Sequence, residues 1–251
     1  MPRELTSNSV RQVKTDTALI LAAGGGTRLR SHESPAPKPL QVCHGVSLAE
    51  RSLTSLYNSG ITKFFITVGY KRGEVKKHFH DIALKKKLHV EFIEVTDWEK
   101  GNGISALAAQ TKLKNSSFLL TMVDHAFEKI FISQFLAAIK GEDEICLAVD
   151  FKPSKEIDLI DATKVQVRDG YITKIGKELP HWQGIDTGLF YCTPILFEGL
   201  RAASQNKLYT LSHGIQNLAA HKKVRSIDVS SHRWFDIDTP EDMQSAQKMF
   251  T

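Results

Sequence analysis

Residues 18–22 form an unbroken apolar run, Ala-Leu-Ile-Leu-Ala, that passes through Ala23 directly into Gly24, Gly25 and Gly26. A strand with one wet face would alternate polar and apolar residues, so both faces of this one must be covered, as in a parallel sheet with helices on either side. The glycines then permit a sharp turn at the carboxyl end of the strand, which is the edge of such sheets where ligands collect. This single junction commits the chain to an α/β architecture.

The pattern continues downstream. Leu48, Leu53, Leu56 and Tyr57 recur at helical spacing and stop at Asn58, Ser59 and Gly60, a glycine-terminated helix. Residues 63–69 read as a second strand, 73–87 as a helix with Val75, Phe79 and Ile82 on one face, and 89–95 as a third strand. A helix over 104–113, a buried strand over 117–123, a helix over 130–139 and a strand over 144–149 follow. Such alternation implies a Rossmann-like, mostly parallel sheet flanked by helices and joined by right-handed crossovers. Beyond Asp150 the character changes. Residues 163–167, the turn at Asp169 and Gly170, and residues 171–175 read as an antiparallel hairpin. Strand 188–192, helices 195–204 and 211–221, strand 224–229 and a closing helix 240–250 complete the chain, the last with Thr239 as N-cap and Pro240 at its first position.

Composition excludes several classes. With 41% hydrophobic and 24% charged residues in 251, the chain can bury a large core and is not disordered. No apolar stretch approaches the ~20 residues that span a bilayer, so no membrane insertion is expected and a cytoplasmic location fits. Cys43, Cys146 and Cys192 are widely spaced and suit reduced structural thiols. The net charge of +5 is spread over scattered Lys and Arg, so the expected partner is an anionic small molecule and not nucleic acid. His78 and His80 lie two apart on a helix and point different ways, a poor metal pair. The sequence is compatible with a homodimer.

The chemistry concentrates in a few places. Consecutive glycines let backbone N–H groups cradle phosphate oxygens, and Arg28 and Lys38, the latter between Pro37 and Pro39, add fixed positive charge. A glycine turn would explain the glycines alone, but not the two cations. The dinucleotide fingerprint fails because Leu29 stands where its third glycine belongs, and no Gly-Lys-Ser/Thr ending marks a Walker loop. Asp124 ends a buried strand, and Asp236 and Asp238 lie near the other end of the chain. A pair of these carboxylates could hold one Mg²⁺, which takes a few carboxylates plus water and phosphate oxygens. Asp238 has a rival role in capping the last helix, so Asp236 and Asp238 are alternatives for the second ligand. Gly101, Asn102 and Ser105 open a helix whose free N–H groups can meet ribose or base.

The run from Leu21 through Ala22, Ala23, Gly24, Gly25, Gly26, Thr27 and Arg28 to Leu29, followed by Pro37, Lys38, Pro39 and Leu40, resembles the signature of sugar-phosphate nucleotidyltransferases. The resemblance extends along nearly the whole chain from Thr17. The combination of Asp124 and His125, of Ile175, Gly176 and Lys177, and of Asp186, Thr187 and Gly188 looks most like inositol-1-phosphate cytidylyltransferases. It does not reach the membrane-embedded transferase domain to which those relatives are often fused. It implies transfer of CMP from CTP to a small phosphorylated alcohol, with inositol 1-phosphate the leading acceptor and pyrophosphate the leaving group. It places Arg28 on the β- and γ-phosphates, Lys38 near the α-phosphate and Lys177 on the acceptor phosphate. Asp186, Thr187 and Gly188 would line the acceptor pocket; His125 is a candidate substrate contact, with packing at a strand end as the plainer explanation. The acceptor phosphate is itself a nucleophile, so no catalytic base is required.

On this reading residues 1–16 are a loose extension, 17–150 the nucleotide-binding half of one domain and 151–251 its acceptor-binding half, with the small antiparallel portion. Thr96 and Asp97 stand where cytidylyltransferases are expected to carry an amide side chain, which leaves UTP as the alternative to CTP. A sugar phosphate, phosphocholine or a phosphonate are the alternative acceptors, and a non-catalytic nucleotide-binding regulator or an NAD-dependent oxidoreductase the alternatives of another class.

Overall fold

The apolar run becomes β1 (Thr17–Ala22), whose side chains divide between two cores: Ala18, Ile20 and Ala22 enter one, Leu19 and Leu21 the other. That is why no polar residue interrupts it. The structure, a computed structural model, describes residues 15–29, 36–141 and 144–249. Of the extension read over 1–16, residues 1–14 lie outside the described ones. Thr15 donates its hydroxyl to the Ser117 carbonyl at 2.8 Å, and the Asp16 carbonyl accepts from the amides of Thr62 and Lys63.

After β1 come β2 (Val42–Cys43) and β3 (Val46–Ser47), a minimal hairpin turning at His44 and Gly45. Ser47 caps α1 (Leu48–Asn58) by accepting from the Glu50 amide. Next are β4 (Lys63–Val68), α2 (Arg72–Lys86) and β5 (His89–Glu94). The helix expected over 104–113 is two, α3 (Asn102–Leu107) and α4 (Gln110–Leu113), separated where the Ala109 amide tightens onto the Ala106 carbonyl in a 3₁₀-type bond. Then follow β6 (Phe118–Met122), β7 (His125–Phe127), α5 (Phe131–Ala138) and β8 (Ile145–Asp150). The expected hairpin is β9 (Lys164–Arg168) and β10 (Tyr171–Gly176), turning at Asp169 and Gly170 with φ of 54° and 78°, as a two-residue primed turn requires. The chain closes with β11 (Gly184–Cys192), α6 (Ile195–Gln205), α7 (Leu211–Ala219), β12 (Val224–Asp228), β13 (Trp234–Asp236) and α8 (Pro240–Met249).

Nine strands form one sheet in the order β5-β4-β1-β6-β11-β8-β12-β10-β9. β5, β4, β1 and β6 run parallel, as do β8 and β12, but β11 enters antiparallel between β6 and β8, so the sheet is mixed. One face carries α1, α2 and α5 through Leu53, Phe79 and Phe131; the other carries α3, α6 and α7 through Ala106, Phe197 and Ile215. Each fully buried Leu or Phe contributes roughly 1.5–3 kcal/mol, so the two cores fix the strand ends on which the loops stand. Cys43, Cys146 and Cys192 are buried and free. Among the described residues no helix is long and apolar enough to cross a membrane.

Candidate functional site

A cleft of about 290 Å³ opens where β1 and β6 end. Its floor is Leu21, Met122 and Val123; Ala22, Ala23, Gly24, Gly26, Thr27 and Arg28 form one side, Trp98, Asn102 and Ser105 another, and Lys38, Asp124 and Asp238 the third. Gly25 lies in the loop but not on the lining. A Cβ on Gly24 would meet nothing within 4 Å, so the backbone there is open to a ligand. Gly26 is constrained: its φ is 59°, and a Cβ would stand 2.6 Å from the Cβ of Lys38. The glycine lets the Lys38 stem cross the loop, and a 3₁₀ turn over Lys38–Leu40 holds that lysine with only 7% of its surface exposed.

The acidic residues reach the cleft through a device too short to show in sequence. β7 and β13 pair antiparallel, three residues each, with Asp236 opposite His125 and Trp234 opposite Phe127. The Ile237 amide adds a bond to the Asp124 carbonyl at 3.1 Å. Lys38 Nζ lies 2.5 Å from Asp124 Oδ2 and also bonds Asp238 Oδ1, while Arg28 donates to Asp238 Oδ2 at 2.6 Å. His125 Nδ1 is 2.9 Å from Asp124 Oδ1, and its ring stacks on Trp234 with centroids 6.3 Å apart. On its other side lies Gly188, φ 75°, where a Cβ would fall 2.1 Å from the imidazole. Gly188→Ala is therefore expected to cost about 1–3 kcal/mol of stability; a thermal melt superposing on that of the parent protein would contradict the tight stacking.

Charge alternates through the cluster. Burial works against the Lys38 ammonium, but Asp124 and Asp238 outweigh it and hold the lysine charged, its pKa above the usual range. Burial also works against the Asp124 carboxylate, yet Lys38 and His125 keep it well below the ordinary carboxylate range. For His125, loss of hydration is outweighed by the carboxylates of Asp236, Asp124 and Asp186, raising it to about 9. Asp236 shifts upward, through burial and then repulsion from Asp124 and Asp238.

One ligand atom each from Asp124, His125 and Asp236 falls within 4.8 Å of the others. Asp236 Oδ1 is buried without a hydrogen-bond partner and has His125 Nδ1 at 3.8 Å, although 42% of the side chain is exposed. Such an orphaned oxygen beside a second carboxylate fits a hard, oxygen-seeking cation such as Mg²⁺. Asp238 lines the same cleft with its two oxygens bonded to Lys38 and Arg28, as those of Asp124 are to Lys38 and His125, so Asp236 and Asp238 both stand as second carboxylates for that cation. Asp238 does not cap α8, because Thr239 Oγ1 accepts from the Asp242 amide at 3.1 Å and Asp242 accepts from the amides of Asp238 and Thr239. The imidazole Nδ1 is turned to Asp124, which makes His125 a group that orients that carboxylate.

The residues expected on the acceptor side are placed unequally. Lys177 bonds Asp161 Oδ1, whose other oxygen accepts from Arg28 at 2.7 Å, so Lys177 is linked to the glycine loop through a residue that the sequence did not single out. Asp186 Oδ1 accepts from the Gly188 amide at 2.7 Å, and burial raises its pKa to about 6. Thr187 is wholly buried and donates to the Ala148 carbonyl, so its hydroxyl serves the sheet and not the cleft. Asn102 and Ser105 face the cleft, but Gly101 does not: its φ of 149° and a would-be Cβ 2.6 Å from the Tyr209 carbonyl make it a packing glycine for the approach to α7. Trp98, on which the sequence offered no motif, forms a cleft wall with its ring against Gly69, where a Cβ would fall 2.4 Å from Cδ1.

With the geometry in hand, comparison with known proteins is informative. Residues 18–221 match the family model described as the MobA-like NTP transferase domain. Over 92% of its length the chain is 34% identical to a bifunctional IPC transferase and DIPP synthase of Rubrobacter xylanophilus, and over 93% it is 34% identical to that of Aquifex aeolicus. In both cases it spans about half the length of the curated relatives it matches, 51% of each. The solved inositol-1-phosphate CTP transferase from T. maritima superposes with a TM-score of 0.85 at 25% identity, covering 95% of this chain and 96% of that one. UDP-glucose pyrophosphorylase in complex with UDP-glucose, at 16% identity and a TM-score of 0.75 over 94% of this chain and 98% of that one, shares the fold.

Proposed function

This chain belongs to the MobA-like NTP transferase domain family, and from that premise we propose that it is a Mg²⁺-dependent cytidylyltransferase that joins CTP to inositol 1-phosphate, giving CDP-inositol and pyrophosphate. The observation that carries the reading is the convergence, in one cleft, of an open glycine loop, the buried Lys38 and the carboxylates of Asp124 and Asp238, with Asp236 and its unpartnered oxygen close to Asp124. The choice of CTP and inositol 1-phosphate is supported by the likeness to the solved inositol-1-phosphate CTP transferase and to the IPC transferases.

The acceptor phosphate attacks the α-phosphorus, the bond to the β-phosphate oxygen breaks, and pyrophosphate leaves. Such a transfer asks the protein for alignment and charge neutralisation. Backbone amides of the loop after β1 cradle the triphosphate. Arg28 and Lys38, both paired with Asp238, turn to the phosphates as these arrive, and Asp238 keeps both within reach. Asp124, with Asp236 or Asp238, would hold the Mg²⁺, which when bound neutralises charge on the reacting phosphates. His125 fixes the Asp124 carboxylate, and Asp186, beside it, offers an acceptor for the hydroxyls of a polyol. Trp98 and Met122 bound the space left for the base.

The test is pyrophosphate release measured for CTP, UTP, GTP and ATP against inositol 1-phosphate, glucose 1-phosphate, phosphocholine and a phosphonate, with and without Mg²⁺. Release should require both Mg²⁺ and the inositol phosphate, with kcat/KM for CTP on the order of tenfold or more above UTP. Release without an acceptor, or a preference for ATP, would sink the reading; turnover with another acceptor alone would reassign the substrate.

A further inference from the structure

Asp161 stands between two cations that come from different halves of the chain. Its Oδ2 accepts from Arg28 at 2.7 Å and its Oδ1 pairs with Lys177 Nζ. Arg28 belongs to the glycine loop after β1, and Lys177 follows β10 directly. Backbone ties make this more than a chance meeting of long side chains. Lys164 Nζ donates to the carbonyls of both Ala162, at 3.3 Å, and Lys177, at 2.8 Å, which clamps the segment carrying Asp161 to the segment carrying Lys177. Asp158 closes the turn from below, accepting from the Ile160 amide through its side chain and from the Ala162 amide through its carbonyl.

The three charged side chains are half-open to solvent, at 53%, 35% and 50% exposure for Arg28, Asp161 and Lys177. Hydrogen bonds from Lys177 and then Arg28 lower the Asp161 pKa, so the bridging group is an anion at neutral pH. A planar, two-oxygen anion held by a guanidinium and an ammonium is the arrangement in which proteins also hold phosphate. Two anions cannot share it, because repulsion at such a distance cancels what the cations supply. Ion pairs this exposed are weak enough to exchange.

We propose that Arg28 and Lys177 form one shared anion position, that Asp161 holds it before substrate binds, and that the acceptor phosphate binds by displacing Asp161, sharing the several N–H donors of Arg28 with the triphosphate. Only the identity of the incoming phosphate rests on the cytidylyltransferase reading; the anion position does not. The exchange discriminates by charge. A dianionic phosphate gains by replacing a single carboxylate charge, whereas acetate or chloride merely matches it.

Calorimetric titration of the full chain with inorganic phosphate, and separately with acetate, tests this without nucleotide or acceptor, so its outcome is independent of whether the protein transfers CMP. Asp161→Asn should bind phosphate roughly three- to tenfold more tightly than the parent and should bind acetate measurably, with Lys177→Ala or Arg28→Ala in that background each removing the gain. Unchanged or weaker phosphate binding in a folded Asp161→Asn protein overturns the proposal, as does a gain that survives loss of either cation. In turnover, the same variant should lower the acceptor KM; a raised KM would mean that Asp161 steadies Lys177 for the substrate, and would overturn the exchange.

Discussion

Asp124→Asn is expected to reduce pyrophosphate release on the order of 10³-fold or more while leaving the protein folded. The substitution keeps the shape of the side chain and removes its charge. Lys38 retains Asp238 and His125 retains Asp236, so no buried cation is stranded, and the stability loss should stay near about 1–3 kcal/mol. On the proposed reading, what disappears is one of the carboxylates that would hold the metal beside the reacting phosphates. The discriminating measurement is single-turnover pyrophosphate release at saturating Mg²⁺, accompanied by circular dichroism. Release within tenfold of the parent protein would remove Asp124 from the metal site and leave it a purely structural partner of Lys38.

Lys38→Met should fail in two ways at once. The ammonium, 9% exposed, compensates Asp124 and Asp238, whose side chains are themselves mostly covered. Methionine preserves the stem that crosses Gly26 but strands two neighbouring carboxylates, and breaking a buried pair in this manner costs about 3–5 kcal/mol, a fall in melting temperature on the order of 10 °C. Turnover should drop by roughly 10²–10³-fold even below that temperature, since on the proposed reading Lys38 is the fixed cation near the α-phosphate. Saturating Mg²⁺ should restore part of the lost stability by engaging the stranded carboxylates, but not the rate. A variant that melts with the parent protein would show that Lys38 does not neutralise the cluster.

The two predictions depend on parts of the site that were unequally legible in the sequence. β1, the glycine loop and the cations Arg28 and Lys38 could be read directly, because hydrophobic continuity and consecutive glycines are local signals. The α/β architecture and the β9–β10 hairpin followed from period and turn chemistry in the same way. The choice between Asp236 and Asp238 could not be read. The positions of both depend on β7 and β13, each too short to carry a period and separated by most of the acceptor half, and on Thr239 with Asp242, which take over the capping role weighed against Asp238. Asp161 gave no signal whatever: an aspartate in an irregular polar loop has the composition of any turn, and only folding brings it onto Arg28 and Lys177. For Thr187 and Gly101, places beside informative neighbours suggested ligand contact, and the fold adds a bond to the Ala148 carbonyl and a close approach to the Tyr209 carbonyl that no sequence pattern announces. The antiparallel entry of β11 was hidden as well, since a strand buried on both faces reads the same in either direction.

The pairing of β7 with β13 also has a temporal meaning. A growing polypeptide emits its glycine loop early in synthesis, yet acquires the residue opposite His125 only when residues 234–236 have emerged and docked. The carboxylates of the cluster, at residues 124, 236 and 238, are therefore gathered last, by a ribbon three residues long on each side.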